Sequence, residues 1–204
     1  MTLYLVTDIE TDGPEPAENS MLSLATAACA PGRGIVGTFT LNLAPQPGHA
    51  AYPETAAWWR TQPEAWAAAT SDPVAPGEAM TRWADWVRAL PAPRIFVAHP
   101  LTFDGIWVDW YLRRYVGVPL NRGPLSGEAL FAPTALDLPS LIAGRLGRDP
   151  ATLHEKRYPP EWLGAVPHSH RAIDDAVGYA HLLLRVLAMP VASEVGAGPG
   201  TGAP

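Results

Sequence analysis

The stretch Leu3-Tyr4-Leu5-Val6-Thr7-Asp8-Ile9-Glu10-Thr11-Asp12-Gly13 decides how the chain is read. Leu3 to Val6 is the only strongly apolar run at the N-terminus, and it predicts a buried strand over residues 3–9. Side chains at i and i+2 of a strand share a face, so Asp8 and Glu10 lie side by side. Two adjacent carboxylates near a core repel each other. They are costly to desolvate unless cations neutralise them.

Outward from this strand, residues 21–29 and 35–43 read as two more strands, separated by the turn signal Pro31-Gly32-Arg33-Gly34. Together they predict an antiparallel N-terminal meander. A Pro/Gly loop follows, then short helices from Pro53 and from Pro63, each with proline near its first position. Met80, Trp83, Val87 and Leu90 recur at helical spacing within a helix over 78–90. Arg94 to His99 is a short apolar run that predicts another buried strand, followed by a helix from Asp104 to Tyr115. Residues 138–146 and 171–187 read as helices, the last with Ile173, Val177, Ala180, Leu184 and Leu187 as its core stripe. Early strands followed by alternating helix and strand predict an α/β domain with a mixed sheet, parallel strands joining the meander and helices flanking it.

At 204 residues, 48% of them hydrophobic, the chain suffices for one substantial domain, expected over 1–189. The Gly/Ala/Pro-rich segment 190–204 is expected to be a disordered tail. No apolar run approaches the roughly 18 residues of a membrane span, so no membrane partner is expected. No basic-then-apolar leader opens the chain. Cys29 is the single cysteine, which excludes an internal disulfide and suits a reducing cytoplasm. The net charge of −6 argues against a broad basic face gripping duplex nucleic acid.

Three places combine carboxylates with positioned polar groups. Besides Asp8 and Glu10 there is His99-Pro100-Leu101-Thr102-Phe103-Asp104, at a strand end and helix start. The third is His168-Ser169-His170-Arg171-Ala172-Ile173-Asp174-Asp175-Ala176, at the start of the last helix. Singly, Asp104 reads equally as a helix cap, His170 as a loop histidine, and Asp174 and Asp175 as acids that complement a helix dipole. Asp137, before residues 138–146, reads as a cap or as support for a nearby site.

As a set, these segments resemble the DEDDh, or DnaQ-like, 3′–5′ exonuclease family of the ribonuclease H-like fold. Asp8-Ile9-Glu10-Thr11-Asp12-Gly13 matches its first motif, with Asp12 where relatives often carry Thr before the glycine. His99 to Asp104 matches its second, with Pro100 where many members carry Asn. His170-Arg171-Ala172-Ile173-Asp174-Asp175-Ala176 matches its third intact. The resemblance selects His170 over His168 and Asp175 over Asp174. A finer resemblance links Glu54 to Ala65, with its Trp58-Trp59 pair, to DexA-type phage exonucleases and a mycobacterial-type exoribonuclease branch.

The resemblance implies that Asp8, Glu10, Asp104 and Asp175 hold two Mg²⁺ or Mn²⁺ ions, hard cations that suit oxygen ligands. It implies that His170 is the general base, and that single-stranded DNA or RNA is shortened from its 3′ end to nucleoside 5′-monophosphates. Thr11, Asp12, Phe103 and Trp59 are then candidates for contact with the terminal nucleotide, Phe103 by stacking on a base. Arg113, Arg114 and Arg171 are candidates for phosphate contact or for a solvated face. Several members of the family are homodimers, though no dimer surface is legible here. The competing readings are an inactive nucleic-acid-binding module on the same fold, an RNase H-like endonuclease, and a zinc hydrolase using His168 and His170. A zinc site lacks a third close histidine or cysteine in the sequence.

Overall fold

The computed structural model describes residues 1–123, 127–153 and 158–190. The tail expectation therefore falls, beyond Pro190, outside the described residues. Strands β1 (Leu3–Thr11), β2 (Met21–Ala30) and β3 (Gly34–Asn42) form the antiparallel meander. Strand β4 (Arg94–Ala98) pairs parallel with β1, and a short β5 (Leu136–Asp137) pairs parallel with β4. The sheet order is β3-β2-β1-β4-β5, a mixed sheet with helices on both faces.

The two faces of β1 belong to two cores. Leu3, Leu5 and Ile9 pack with helices α3 (Pro76–Ala89) and α4 (Leu101–Tyr115), around Trp83, Trp107 and Tyr111. Tyr4 and Val6 pack on the opposite side with α5 (Leu138–Leu146) and α6 (Ala172–Ala188). The period of two continues beyond the apolar run, so Asp8 and Glu10 emerge on the α6 side. Strand β2 is buried along its whole length. Its Ala25, Ala27 and Cys29 lie in the α6 core. Small residues there let the helix approach the sheet closely. In the other core the Thr7 and Thr26 hydroxyls pair at 2.9 Å and Trp83 Nε1 donates to Thr26 at 2.9 Å, whereas the buried Trp107 Nε1 has no hydrogen-bond partner among the described residues. Helices α1 (Pro53–Trp59) and α2 (Pro63–Thr70) form a small satellite core, in which Trp59, Ala65 and Ala69 meet Leu22 of β2.

Two expectations about helices are corrected. Helix α4 starts at Leu101, so Asp104 lies inside the first turn and is no cap; Pro100 occupies that position. The buried residues of α6 are Ala172, Asp175, Ala176, Gly178, Tyr179, Ala180, Leu182, Leu183 and Val186. Ile173, Val177, Leu184 and Leu187 are only partly buried against them. The expected stripe is rotated because it followed the largest aliphatic residues. The face that meets the sheet instead carries small residues at Ala172, Ala176 and Ala180. This rotation turns Asp175 toward Asp8 and Glu10.

Candidate active site

The C-terminal end of β1, the start of α4 and the start of α6 converge on one cleft of about 460 Å³, lined by Asp8, Glu10, His99, Phe103, Asp104, His168, His170 and Asp175. Carboxylate oxygens of Asp8, Glu10 and Asp175 all lie within 4.8 Å of one another. Asp104 and Asp175 are 3% and 5% exposed, far below what is usual for aspartate.

This crowding is electrostatically unfavourable. Burial, then the charges of Asp104, Glu10 and Asp175, push the Asp8 carboxyl well above its ordinary range. Burial and the charges of Asp175 and Asp104 push Glu10 to about 9. Burial pushes Asp104 to about 8, although backbone N–H groups pull the other way. One oxygen of Asp104, Oδ2, is fully buried and has no hydrogen-bond partner. A carboxylate oxygen in that position normally costs on the order of 1–3 kcal/mol. An all-oxygen donor set with an orphaned buried oxygen fits hard divalent cations.

The supporting residues explain why these side chains hold their places. Asp137 ends β5 and binds two helix starts at once. Its Oδ1 accepts from Leu101 N of α4 at 2.9 Å, and its Oδ2 from Ser140 N of α5 at 3.0 Å and from the Ser140 hydroxyl. Burial pushes its carboxyl up, but the Ser140 hydroxyl and the two N–H groups outweigh this and leave it below the usual range. His99 stacks flat on Tyr179, with ring centres 4.4 Å apart, and its Nε2 pairs with the Tyr158 hydroxyl at 3.1 Å. Tyr179 lies one turn along α6 from Asp175, so a single helix face supplies both.

The structure distributes the sequence candidates unevenly. Asp8, Glu10, Asp104, Asp175, His170 and Phe103 all line the cleft. Asp12 turns inward, away from any sugar. It is 5% exposed, its Oδ1 accepts from Ser20 N at 2.5 Å, and its backbone pairs with Ser20 and Tyr52. Its carboxyl organises the loop after β1, and Asp12 lines neither the cleft nor the side groove beside it. Trp59 is likewise internal, at 3% exposure, with Nε1 donating to the Thr11 carbonyl at 2.8 Å. It floors a side groove of about 270 Å³ that also touches Glu10, Thr11, Trp58 and Phe103. Trp58 is the exposed member of the pair, and its ring meets the His170 ring edge-on at 4.9 Å. Thr11 donates its hydroxyl to the Gly13 carbonyl at 2.8 Å. Gly13 has a steric reason of its own, since a Cβ there would land on the Asn19 side-chain amide. Asn19 in turn ties Glu15 N to the Ala50 carbonyl.

Arg113 is committed to Asp109 at 2.7 Å, and Arg114 lies over the Trp110 and Tyr115 rings, so neither faces the cleft. Asp174 accepts from the Ser169 hydroxyl at 2.6 Å, a quarter turn away from Asp175. His168, which the family resemblance sets aside for His170, has its Nδ1 2.9 Å from Asp175 Oδ1 and its ring 4.5 Å from that of His170. The local chain explains this: His170 takes a left-handed backbone, φ 55°, which folds the segment before α6 back over the helix start. Tyr158 and Tyr179 are the site residues that sequence reasoning missed. For Tyr179, four residues after Asp175, the helical spacing was a usable signal.

No protein-family model matches this chain, and no curated protein matches it. Solved structures do. E. coli exonuclease I in complex with a dT13 oligonucleotide superposes over 92% of this chain, with a TM-score of 0.62 and 15% identity. The zinc-bound form of the E. coli exonuclease I complex with single-stranded DNA gives 0.61 at 15% identity over 92% of the chain. Cell-death related nuclease 4 gives 0.61 at 15% identity over 91%. The fold is the one these structures share, a ribonuclease H-like mixed sheet flanked by helices. The chain spans 41% and 40% of the two exonuclease I chains and 63% of the cell-death related nuclease. Among the described residues no helix is long and apolar enough to cross a membrane.

Proposed function

We propose that this chain is a metal-dependent 3′–5′ exonuclease that removes nucleoside 5′-monophosphates from single-stranded DNA or RNA. The observation that carries this reading is the convergence of Asp8, Glu10 and Asp175 oxygens within 4.8 Å, next to the orphaned buried oxygen of Asp104. Four carboxylates so placed would hold two Mg²⁺ or Mn²⁺ ions. When bound, these supply Lewis-acid activation of water and stabilisation of a departing oxygen. The likeness in fold to exonuclease I solved with single-stranded oligonucleotides supports the choice of substrate class.

The protein's own contributions follow from position. His170 stands at the cleft wall, and imidazole is the side-chain type suited to act as general base toward water. Trp58, perpendicular to it, packs against one edge of the imidazole. Phe103, half in the cleft and half in the side groove, offers an aromatic face to a base. Backbone groups of Glu10 and Thr11 line the path between the two and suit contact with a terminal sugar. Asp137 and the His99–Tyr179 stack keep the α4 and α6 ends in register.

The test is a time course with Mg²⁺ or Mn²⁺ on matched 5′-labelled DNA and RNA strands. Stepwise shortening with mononucleotide release is expected, abolished by chelator. Internal fragments from a circular strand, or full activity of Asp8→Ala, would refute the reading. The same strands decide between DNA and RNA, which the finer resemblance to DexA-type and mycobacterial-type enzymes leaves equally open.

A further inference from the structure

Asp175 belongs to two clusters, and only one of them is all-oxygen. Besides its grouping with Asp8 and Glu10, its carboxylate lies within 4.8 Å of a ring nitrogen of His168 and of one of His170, which are likewise that close to each other. The His168 Nδ1 to Asp175 Oδ1 separation is 2.9 Å. Ligands about 2.0–2.2 Å from a tetrahedral zinc stand roughly 3.3 Å apart, so this pair already has nearly the bite of a zinc site. A modest inward turn of His170 completes a His-His-carboxylate face with a fourth position open, the donor set that zinc favours. His168 is the exposed member of the three, so an ion can reach the group from solvent. The donor chemistry discriminates: Mg²⁺ prefers oxygen throughout, whereas at mixed nitrogen and oxygen sites Zn²⁺ binds more tightly than Mn²⁺.

We propose that His168, His170 and Asp175 form a second metal site that takes Zn²⁺, and that zinc held there silences the enzyme. The ion would occupy the nitrogen of the base and an oxygen shared with the carboxylate site, so one bound zinc removes two parts of the machinery together. The inhibitory half rests on the exonuclease reading; the binding half does not. The third ligand is thus a carboxylate in place of a third histidine or cysteine, and it is the acid that the proposed Mg²⁺ site also needs.

The experiment titrates zinc chloride into the metal-free full chain by calorimetry, in the wild type, in His168→Ala and in the double variant Asp8→Asn/Glu10→Gln, with circular dichroism confirming the fold. One zinc per chain is expected in the wild type and in the double variant, with similar affinity. Losing a residue that merely orients a ligand costs about 10–100-fold in metal affinity, so His168→Ala should weaken zinc by at least that factor. Absence of zinc binding in the wild type, equal binding in His168→Ala, or loss of binding in the double variant overturns the site. The last two outcomes place zinc elsewhere or among the carboxylates. In a second arm, zinc is added to Mg²⁺-supported digestion of a single-stranded oligonucleotide. The inhibitory midpoint should rise at least tenfold in His168→Ala; equal inhibition overturns the inhibitory half. A wild type that cuts nothing even without zinc refutes the exonuclease reading and leaves the calorimetric result standing.

Discussion

Replacing Glu10 by glutamine should make the metal-free protein more stable, although it removes a residue of the candidate active site. The carboxyl of Glu10 is pushed from its ordinary 4.5 to about 9, chiefly by burial and then by Asp175 and Asp104. Above pH 4.5 the unfolded chain releases this proton while the folded chain keeps it, so the folded state binds more protons and loses stability as pH rises toward 9. At pH 7 the gap between 7 and 4.5, at about 1.4 kcal/mol per pH unit, corresponds to about 3 kcal/mol. Glutamine keeps the shape and the polar end without this ionisation. For a chain of this size about 1 kcal/mol moves the melting temperature by roughly 2–4 °C, so Glu10→Gln should melt roughly 6–12 °C higher in chelator at pH 7. At pH 5 the gap nearly closes. The assay is thermal unfolding by circular dichroism in EDTA between pH 5 and pH 8, repeated with Mg²⁺. Added Mg²⁺ should raise the melting temperature of the wild type far more than that of the variant, because an ion that binds only the folded state stabilises it. A variant that melts at or below the wild type in chelator at pH 7 would refute the argument that these acids are mutually destabilising.

Three further substitutions separate chemistry from scaffold. Asp175→Asn keeps an oxygen for His168 and should fold normally while abolishing metal-dependent mononucleotide release, read by thin-layer separation of the products. His170→Ala should slow single-turnover cleavage by about 10²–10⁴, the usual cost of losing an acid–base group, with melting nearly unchanged. Asp12→Ala leaves the buried Ser20 N–H without its side-chain acceptor and should cost on the order of 1–3 kcal/mol in urea unfolding. Its KM for an oligonucleotide should stay near wild type, since the carboxyl faces the loop interior.

The parts of the molecule that were legible in the sequence share a property: each is decided within a few residues. The strand around Asp8 and Glu10 shows through alternation, and its continuation through Thr11 keeps the same period. Helix α5 shows its start through Asp137 and Pro139 and its end through Gly147, which takes the left-handed conformation. The two-residue β5 escaped notice because a strand so short carries no periodicity. The stripe of α6 differs from the expectation because size alone marks Ile173, Val177, Leu184 and Leu187, whereas Ala172, Ala176 and Ala180 sit where the helix meets the sheet.

By itself, the sequence determined the class of fold and the identity of the acids and the histidine worth watching, because alternation and motif spacing are local properties of the chain. Only the tertiary structure decided the rest. It turned Asp12 and Trp59 inward through bonds to Ser20 and Thr11, set Trp58 against His170, and brought His168 onto Asp175. The physical reason is that burial and hydrogen-bond satisfaction depend on what packs opposite a residue. For these residues the partner comes from another element or from a loop that folds back over one.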